Sequence, residues 1–134
     1  MSAFFDTNIL VYAQQTDGKG DRARALFTDG GKLSVQVLNE FTAVSRGKQA
    51  RDRREIAEAI SDVLTLVDPP LALTLDVHVA ARALAEDHRL SFYDALIVAS
   101  AIEAGCDILY SEDMQHGRAI GGLAIVNPFL ESAS

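Results

Sequence analysis

Four acidic residues stand beside apolar positions at well-separated points of the chain: Asp6, Glu40, Asp94 and Asp113. Carboxylates and water are the ligands that Mg²⁺ and Mn²⁺ prefer. An ion held in this way can make a nucleophile from water and stabilise charge on phosphoryl oxygens. The four acids could therefore support metal-dependent cleavage of a phosphodiester, provided that the fold brings them to one pocket.

The hydrophobic pattern predicts strands that alternate with helices. Strands are expected at 4–5, 33–35, 107–110 and 123–126, and helices after Asn8, at 21–29, around 37–44, and at 51–67, 77–85 and 91–104. Residues 17–20 are predicted to be a loop, and Asp76 is a candidate helix cap. This order is typical of an α/β fold, in which helices cover both faces of a parallel sheet.

The predicted fold places the acids at one edge of the sheet. In parallel sheets, ligands bind beyond the carboxyl ends of the strands. Asp6 and Asp113 each follow a predicted strand, while Glu40 and Asp94 lie early in helices. A helix that follows a strand begins at the same edge, so we expect one acidic cleft there.

Each acid also has a structural explanation when it is considered alone. Asp6 or Thr7 could cap the first helix, and the spacing of Ser91 and Asp94 matches a capping box. Asp113 could be an ordinary loop acid. Capping does not explain why four acids should converge on one edge.

Glu40 is the acid that capping explains least. It lies three residues after Val37 and four before Val44, on the apolar side of its helix. A carboxylate on such a face is costly unless it is paired or binds a ligand. An ion pair with Arg46 is the alternative explanation.

Size and composition predict one globular domain over residues 1–134. The chain is 49% hydrophobic and 23% charged, which is an ordinary globular mixture. A single cysteine, Cys106, excludes an intrachain disulfide and is expected to be buried. With neither a signal peptide nor a membrane span expected, the predicted location is the cytoplasm.

The net charge of −7 comes from 12 basic and 19 acidic residues. This sign argues against nucleic-acid binding through bulk electrostatics. It is compatible with a cation held by carboxylates, and it suits a basic protein partner.

Other polar residues carry weaker signals. The histidines, at 78, 88 and 116, lack the spacing of a metal site. The basic run is interpreted as the solvated start of a helix, with contact to RNA phosphate as the alternative. It consists of Arg46, Lys48, Arg51, Arg53 and Arg54.

Four short motifs carry a resemblance to a known family. They are Phe5-Asp6-Thr7-Asn8, Asn39-Glu40-Phe41, Ser91-Phe92-Tyr93-Asp94-Ala95-Leu96-Ile97 and Ser111-Glu112-Asp113-Met114. In this order and spacing the set resembles the PIN-domain ribonucleases, and among them most the VapC toxins of bacterial and archaeal toxin–antitoxin pairs. The resemblance extends from Phe5 to Asn127-Pro128-Phe129.

The resemblance implies a metal-dependent endoribonuclease in a PIN-like three-layer α/β/α sandwich, with a small parallel central sheet. Its acidic quartet would be Asp6, Glu40, Asp94 and Asp113. Asp6 and Asp94 are expected to bind Mg²⁺ or Mn²⁺ directly. Glu40 and Asp113 would bind through water or orient the nucleophile, and one-metal and two-metal mechanisms both stay open.

The resemblance also implies neighbours and partners for this site. Asn8 and Ser111 match polar positions often found beside the quartet, and together with Thr7 they are expected to support the acids or the substrate. Glu112 stands beside Asp113 and either could serve; Asp113 matches the family position. The substrate would be RNA, and the partners would be a cognate antitoxin and a second copy of the chain.

Two other functions remain open. A haloacid-dehalogenase-type phosphohydrolase also begins with a strand and an aspartate, but it needs a second acid where Asn8 stands. A non-catalytic module for RNA binding or protein interaction on the same fold would be expected to lose acids, and all four are present.

Overall fold

The computed structural model describes residues 2–130, in which six α-helices flank a four-stranded sheet. The helices are α1 (Thr7–Ala13), α2 (Gly18–Leu26), α3 (Val35–Gly47), α4 (Arg53–Leu64), α5 (Leu75–His88) and α6 (Phe92–Glu103). The strands are β1 (Ala3–Phe5), β2 (Ile108–Tyr110), β3 (Ala119–Ile120) and β4 (Leu123–Val126). Within residues 2–130, no helix combines the length and the apolar character needed to cross a membrane.

The sheet has the strand order β1-β2-β4-β3. The β1–β2 and β2–β4 pairs are parallel, whereas β3 and β4 are antiparallel. The predicted α/β sandwich is therefore confirmed, but its sheet is mixed. The strand that the sequence analysis missed, β3, joins β4 through Gly121 and Gly122, whose φ angles are 56° and 82°. Positive φ at both positions is what a two-residue hairpin turn requires.

Strand register brings distant polar residues to the same edge. Phe5 pairs with Tyr110, and Tyr110 with Val126. Asp6 follows Phe5 and Ser111 follows Tyr110, so the pairing of Phe5 with Tyr110 places Asp6 and Ser111 side by side. The register is anchored by burial, because Phe4 and Phe5 of β1 and Leu109 of β2 are fully inaccessible to solvent.

The strand expected at 33–35 is absent. Residues 32 and 34 make only isolated bridges, Phe4 with Lys32 and Ser34 with Leu71, and α3 already begins at Val35. Leu33 is buried in this extended stretch without a ladder. The apolar residues Leu33 and Val35 make the sequence of this segment resemble a strand, but the segment forms only single-residue bridges with neighbouring segments.

Helix boundaries in α4 and α5 also differ from the expectation. Helix α4 ends at Leu64 rather than Val67, since the following residues form a turn. Helix α5 is capped by Thr74, whose Oγ1 accepts a hydrogen bond from the Val77 amide at 3.1 Å. Asp76, the predicted cap, instead lies in the first turn. A cap one or two residues away is hard to place from sequence when several polar residues adjoin.

The predicted loop at 17–20 is wrong because α2 begins at Gly18. Asp17 caps the helix, and its Oδ1 accepts a hydrogen bond from the Gly20 amide at 2.9 Å. Gly20 is buried within α2, where a Cβ atom would lie 2.1 Å from the Gln15 carbonyl oxygen. The second glycine therefore serves close packing of α2 against the end of α1, rather than a loop.

We expect Gly20→Ala to lower the free energy of unfolding by about 1–3 kcal/mol or more, because the added methyl group meets rigid backbone. Gly18→Ala is the matched control on the same helix, since a Cβ there would have no neighbour within 4 Å. Its effect should stay within about 0.5 kcal/mol. Urea denaturation of both variants measures the difference. Equal stability of the two variants would contradict the close approach of α2 to α1.

Candidate active site

The four acids singled out in the sequence line one pocket of about 370 Å³. Asp6 is 3% exposed, Glu40 and Asp94 are half-buried, and Asp113 is exposed. The acids come from four separate segments: the end of β1, helix α3, the first turn of α6 and the loop after β2. The structure thus brings together all four residues that the sequence placed at one edge.

Asp6 is the most buried member of the group. Its Oδ1 accepts a hydrogen bond from the Thr7 amide at 2.7 Å, and its Oδ2 accepts one from the Ser111 hydroxyl at 2.6 Å. Burial raises the pKa of Asp6 to about 7; the two hydrogen bonds oppose this shift, and the charges of Asp94 and Glu40 add to it. Asp6 both caps α1 and lines the pocket.

Glu40 is held by Thr7 rather than by a cation. The Thr7 hydroxyl donates a hydrogen bond to Glu40 Oε2 at 2.9 Å. Burial raises the pKa of Glu40, the Thr7 bond lowers it, and the charges of Asp94 and Asp113 raise it further. Among residues 2–130, no ion pair joins Glu40 to Arg46, so the alternative explanation for this acid is wrong.

Asp94 reaches the pocket from the first turn of α6. The Ser91 side chain caps this helix by accepting a hydrogen bond from the Asp94 amide at 3.2 Å. Burial raises the pKa of the Asp94 carboxyl, the Ser91 hydroxyl opposes it, and the charge of Asp113 adds to it. As with Asp6, a capping interaction and a place in the pocket occur together.

The loop after β2 separates its two adjacent acids. Asp113 lines the pocket, whereas the Glu112 carboxylate forms an ion pair with Lys19 and accepts a hydrogen bond from the Tyr12 hydroxyl at 2.5 Å. Burial alone would raise the pKa of Glu112, but the bonds from Lys19 and Tyr12 outweigh it and lower that pKa. Glu112 is thus committed to contacts outside the set of acids that line the pocket.

Lys19 and Tyr12 are structural neighbours of the site that the sequence analysis missed. The Lys19 Nζ lies 4.1 Å from the centre of the Tyr12 ring and 5.1 Å from that of Phe129. Bonding to Glu112 raises the pKa of Tyr12. One signal was available, because Tyr12 lies four residues after Asn8 and shares its side of α1. The contacts of Lys19 with Glu112 and Phe129 were not predictable, since these two residues are far from Lys19 in the sequence.

The side-chain amide of Asn8 has one buried nitrogen that lacks a hydrogen-bond acceptor among residues 2–130. Its Oδ1 accepts a hydrogen bond from the Glu112 amide at 3.3 Å. Its buried Nδ2 has no hydrogen-bond partner within residues 2–130, although Asn8 lines the pocket. An unsatisfied buried donor costs about 1–3 kcal/mol, which a ligand that accepts a hydrogen bond would recover.

The donors in the pocket fit a hydrated hard cation. All four acids supply oxygen, and burial and mutual repulsion disfavour the charged forms of three of them. In the part of the chain that the structure describes, no three His, Cys, Asp or Glu side chains stand close enough to enclose an ion by themselves. Mg²⁺ would not need such an enclosing group, because it commonly takes one or two carboxylates and keeps several waters.

Comparison with known proteins identifies a family and a shared fold. Residues 3–120 match the family model of the PIN domain. No curated protein matches the chain.

Solved structures share the fold. VapC20 of Mycobacterium tuberculosis, a Sarcin-Ricin loop cleaving toxin, is 24% identical, with a TM-score of 0.65 over 84% of this chain and 90% of that one. A toxin–antitoxin complex from Klebsiella pneumoniae is 20% identical, with a TM-score of 0.72 over 96% and 98%. VapBC2 from Rickettsia felis, bound to a promoter DNA fragment, is 19% identical, with a TM-score of 0.65 over 93% and 97%. At these identities the likeness concerns the fold.

The buried Asp6 predicts a pH-dependent stability in the absence of divalent cations. Its folded pKa of about 7 lies above its ordinary value of 3.8. The protonated acid therefore contributes stability that is fully present below about pH 4 and is lost as pH rises through about 7. At about 1.4 kcal/mol per unit of pKa difference, the loss has an upper bound on the order of 4 kcal/mol. Asp6→Asn should remove this part of the pH dependence.

Urea unfolding in EDTA at pH 4.5 and pH 8 measures the effect. Wild type should lose more stability between the two values than Asp6→Asn does. Asp87→Asn, an exposed position on α5, should behave like wild type. An identical loss in wild type and Asp6→Asn would show that the buried carboxylate is not the source.

Proposed function

This chain belongs to the PIN domain family, and from that premise we propose that it is a metal-dependent endoribonuclease and the toxin of a toxin–antitoxin pair. The observation that carries the proposal is the convergence of four acids from four segments on one pocket. Structural roles such as helix capping do not require four acids in one pocket, and the negative charges of these acids repel one another. A divalent cation is the counter-charge that makes it favourable.

Asp6 and Asp94 are the proposed direct ligands of Mg²⁺ or Mn²⁺, with Glu40 and Asp113 acting through water or orienting the nucleophile. The bound ion would activate water and stabilise charge on the phosphoryl oxygens. Thr7 is proposed to set the geometry, because its amide holds Asp6 and its hydroxyl holds Glu40.

Three other residues are proposed to position the acids or the substrate. Ser111 fixes the second oxygen of Asp6 and accepts a hydrogen bond from the Met114 amide at 3.3 Å, which ties the acid to the loop after β2. The free Nδ2 of Asn8 is suited to a phosphate oxygen of RNA. Lys48 also lines the pocket and supplies a positive charge to the substrate.

The proposed partners are a cognate antitoxin and a second copy of the chain, in the cytoplasm. The structure from Klebsiella pneumoniae that shares this fold is a toxin–antitoxin complex. Exposed apolar side chains on α5 and α6 offer surface for a protein partner: Leu75 is 76% exposed, Val79 47% and Tyr93 61%.

A dehalogenase-type phosphohydrolase is the weaker candidate. Its chemistry needs an acid at the position of Asn8, where this chain has an amide that bonds the Glu112 backbone. The non-catalytic alternative does not account for four acids in one pocket. Metal-dependent RNA cleavage does not need an acid at position 8, and it accounts for the four acids in one pocket.

Asp6→Asn and Asp94→Asn should each lower Mg²⁺- or Mn²⁺-dependent RNA cleavage by at least about 100-fold, since even residues that only support metal ligands are worth about 10–100-fold. Both variants should keep the wild-type circular dichroism spectrum. EDTA should stop cleavage by wild type. Cleavage at the wild-type rate by either folded variant would remove that residue from the site.

The adjacent acids 112 and 113 provide a matched control within one loop. Asp113→Asn should reduce cleavage, because Asp113 lines the pocket. Glu112→Gln should retain more activity, because its carboxylate is bound to Lys19 and Tyr12. The reverse order would assign the fourth acid to Glu112.

The toxin assignment predicts an effect in cells. Induction of the gene alone should arrest growth of a bacterial host, whereas induction of Asp6→Asn to the same protein level should not. Optical density and viable counts measure both. Harmless expression of soluble wild type that cleaves RNA in vitro would reject the toxin assignment and keep the nuclease.

A further inference from the structure

A second concavity, of about 700 Å³, lies where α3 ends and α4 begins. Its lining residues are Thr42, Arg46, Arg51, Asp52, Arg53 and Ile56. Three of the six are arginines, in a chain whose net charge is −7. We call this concavity the arginine cavity.

The arginines of this cavity lack carboxylate partners. Within residues 2–130, no ion pair involves Arg46, Arg51 or Arg53. The one acid in the lining, Asp52, is engaged as the cap of α4: its Oδ1 accepts a hydrogen bond from the Glu55 amide at 2.8 Å. The cavity therefore presents three guanidinium groups whose charge is not neutralised by ion pairs.

The neighbouring arginine differs in this respect. Arg54 Nε lies 3.1 Å from Glu58 Oε1, one turn along α4, and Arg54 is not part of the lining. The basic run therefore divides into one paired arginine on an exposed helix face and three around a cavity. Interpreting the whole run as a solvated helix start does not explain this division.

Unpaired arginines around a concavity point to an anion as the missing partner. Like charges that share a small volume repel, and an anion reverses the sign of that interaction. The guanidinium group is planar and binds phosphate through two parallel hydrogen bonds. Phosphate is the anion that this arrangement suits best.

The chain segment at the end of α3 borders both concavities. Glu40 of α3 lines the acidic pocket, and Arg46 of the same helix lines the arginine cavity. Lys48, just after α3, lines the acidic pocket again, and Arg51 and Arg53 further along the chain line the arginine cavity. A strand of RNA that leaves the acidic pocket past Lys48 would therefore meet the arginines next to the end of this helix.

We propose that the arginine cavity is a phosphate-binding subsite, which holds the RNA backbone at a phosphate other than the one cleaved. This inference rests on the proposed ribonuclease function. Because the contact is to phosphate, it contributes to affinity without selecting a sequence.

The test compares Arg46→Ala/Arg51→Ala/Arg53→Ala with Arg54→Ala, both in the Asp6→Asn background so that RNA is not cut. Binding of a fluorescent single-stranded RNA is measured by anisotropy across salt concentrations. The triple variant should bind more weakly for several RNA sequences. Its slope of log affinity against log salt should flatten by about 0.7 for each phosphate that the three arginines neutralise. Arg54→Ala should keep the slope of its parent.

A melting curve checks the fold of the triple variant. If the triple variant is unfolded, the single variant Arg46→Gln replaces it, because this substitution lies on α3 and does not alter the sequence of α4. Arg46→Gln should also flatten the slope of log affinity against log salt. An unchanged slope and affinity in the folded variant, with wild type still binding RNA, would overturn the subsite and leave the nuclease. Wild type that neither binds nor cleaves RNA would overturn both.

Polyglutamate serves as a second probe. Loss of polyglutamate binding in the triple variant, with RNA affinity retained, would assign the arginines to an acidic protein segment and overturn the proposal. Loss of RNA affinity with no measurable polyglutamate binding by the Asp6→Asn parent supports it.

Discussion

The site depends on the burial of one carboxylate, that of Asp6, at the carboxyl end of β1. Charge at this position is costly because burial removes the carboxylate from water, and the same burial raises its pKa. The carboxylate stays there because the register of β1 and β2 pairs Phe5 with Tyr110, so that Ser111 can bond its Oδ2 at 2.6 Å. The apolar core that fixes the strand register thus also fixes the position of the most buried acid.

The remaining parts of the pocket are connected to Asp6 through short contacts. Thr7 bonds Asp6 with its amide and Glu40 with its hydroxyl, which links β1 and α1 to α3. The loop after β2 is tied from the other side, because Glu112 bonds Lys19 and Tyr12 through its side chain and Asn8 through its amide. Neutral donors and backbone amides therefore hold the acids that line the pocket, and within residues 2–130 no ion pair neutralises these four acids. Functional sites commonly keep such unfavourable features while the surrounding fold compensates for them.

Sequence alone was sufficient where hydrophobic periodicity and strand order decide the structure. It predicted β1, β2 and β4 and the edge at which the acids meet, since those follow from apolar patterning and the geometry of parallel sheets. It missed the short strand β3, whose signal was only the Gly121-Gly122 turn. It also placed a loop where α2 begins, because the close contact that requires Gly20 is a property of helix packing. The choice of Asp113 over Glu112 came from its match to the family position. Separating paired from unpaired arginines needed contacts that the motifs do not encode.

The distribution of charge explains how an acidic chain could act on RNA. With 19 acidic and 12 basic residues, long-range electrostatics would repel a polyanion. Attraction must then be local, at points where positive charge is concentrated and unpaired. A cation among the four acids would provide one such point, Lys48 in the lining of the acidic pocket a second, and the arginine cavity a third. Salt screens the attraction of each point for phosphate beyond a Debye length of about 8–10 Å. RNA would therefore bind best along a path that brings its phosphates close to all three points.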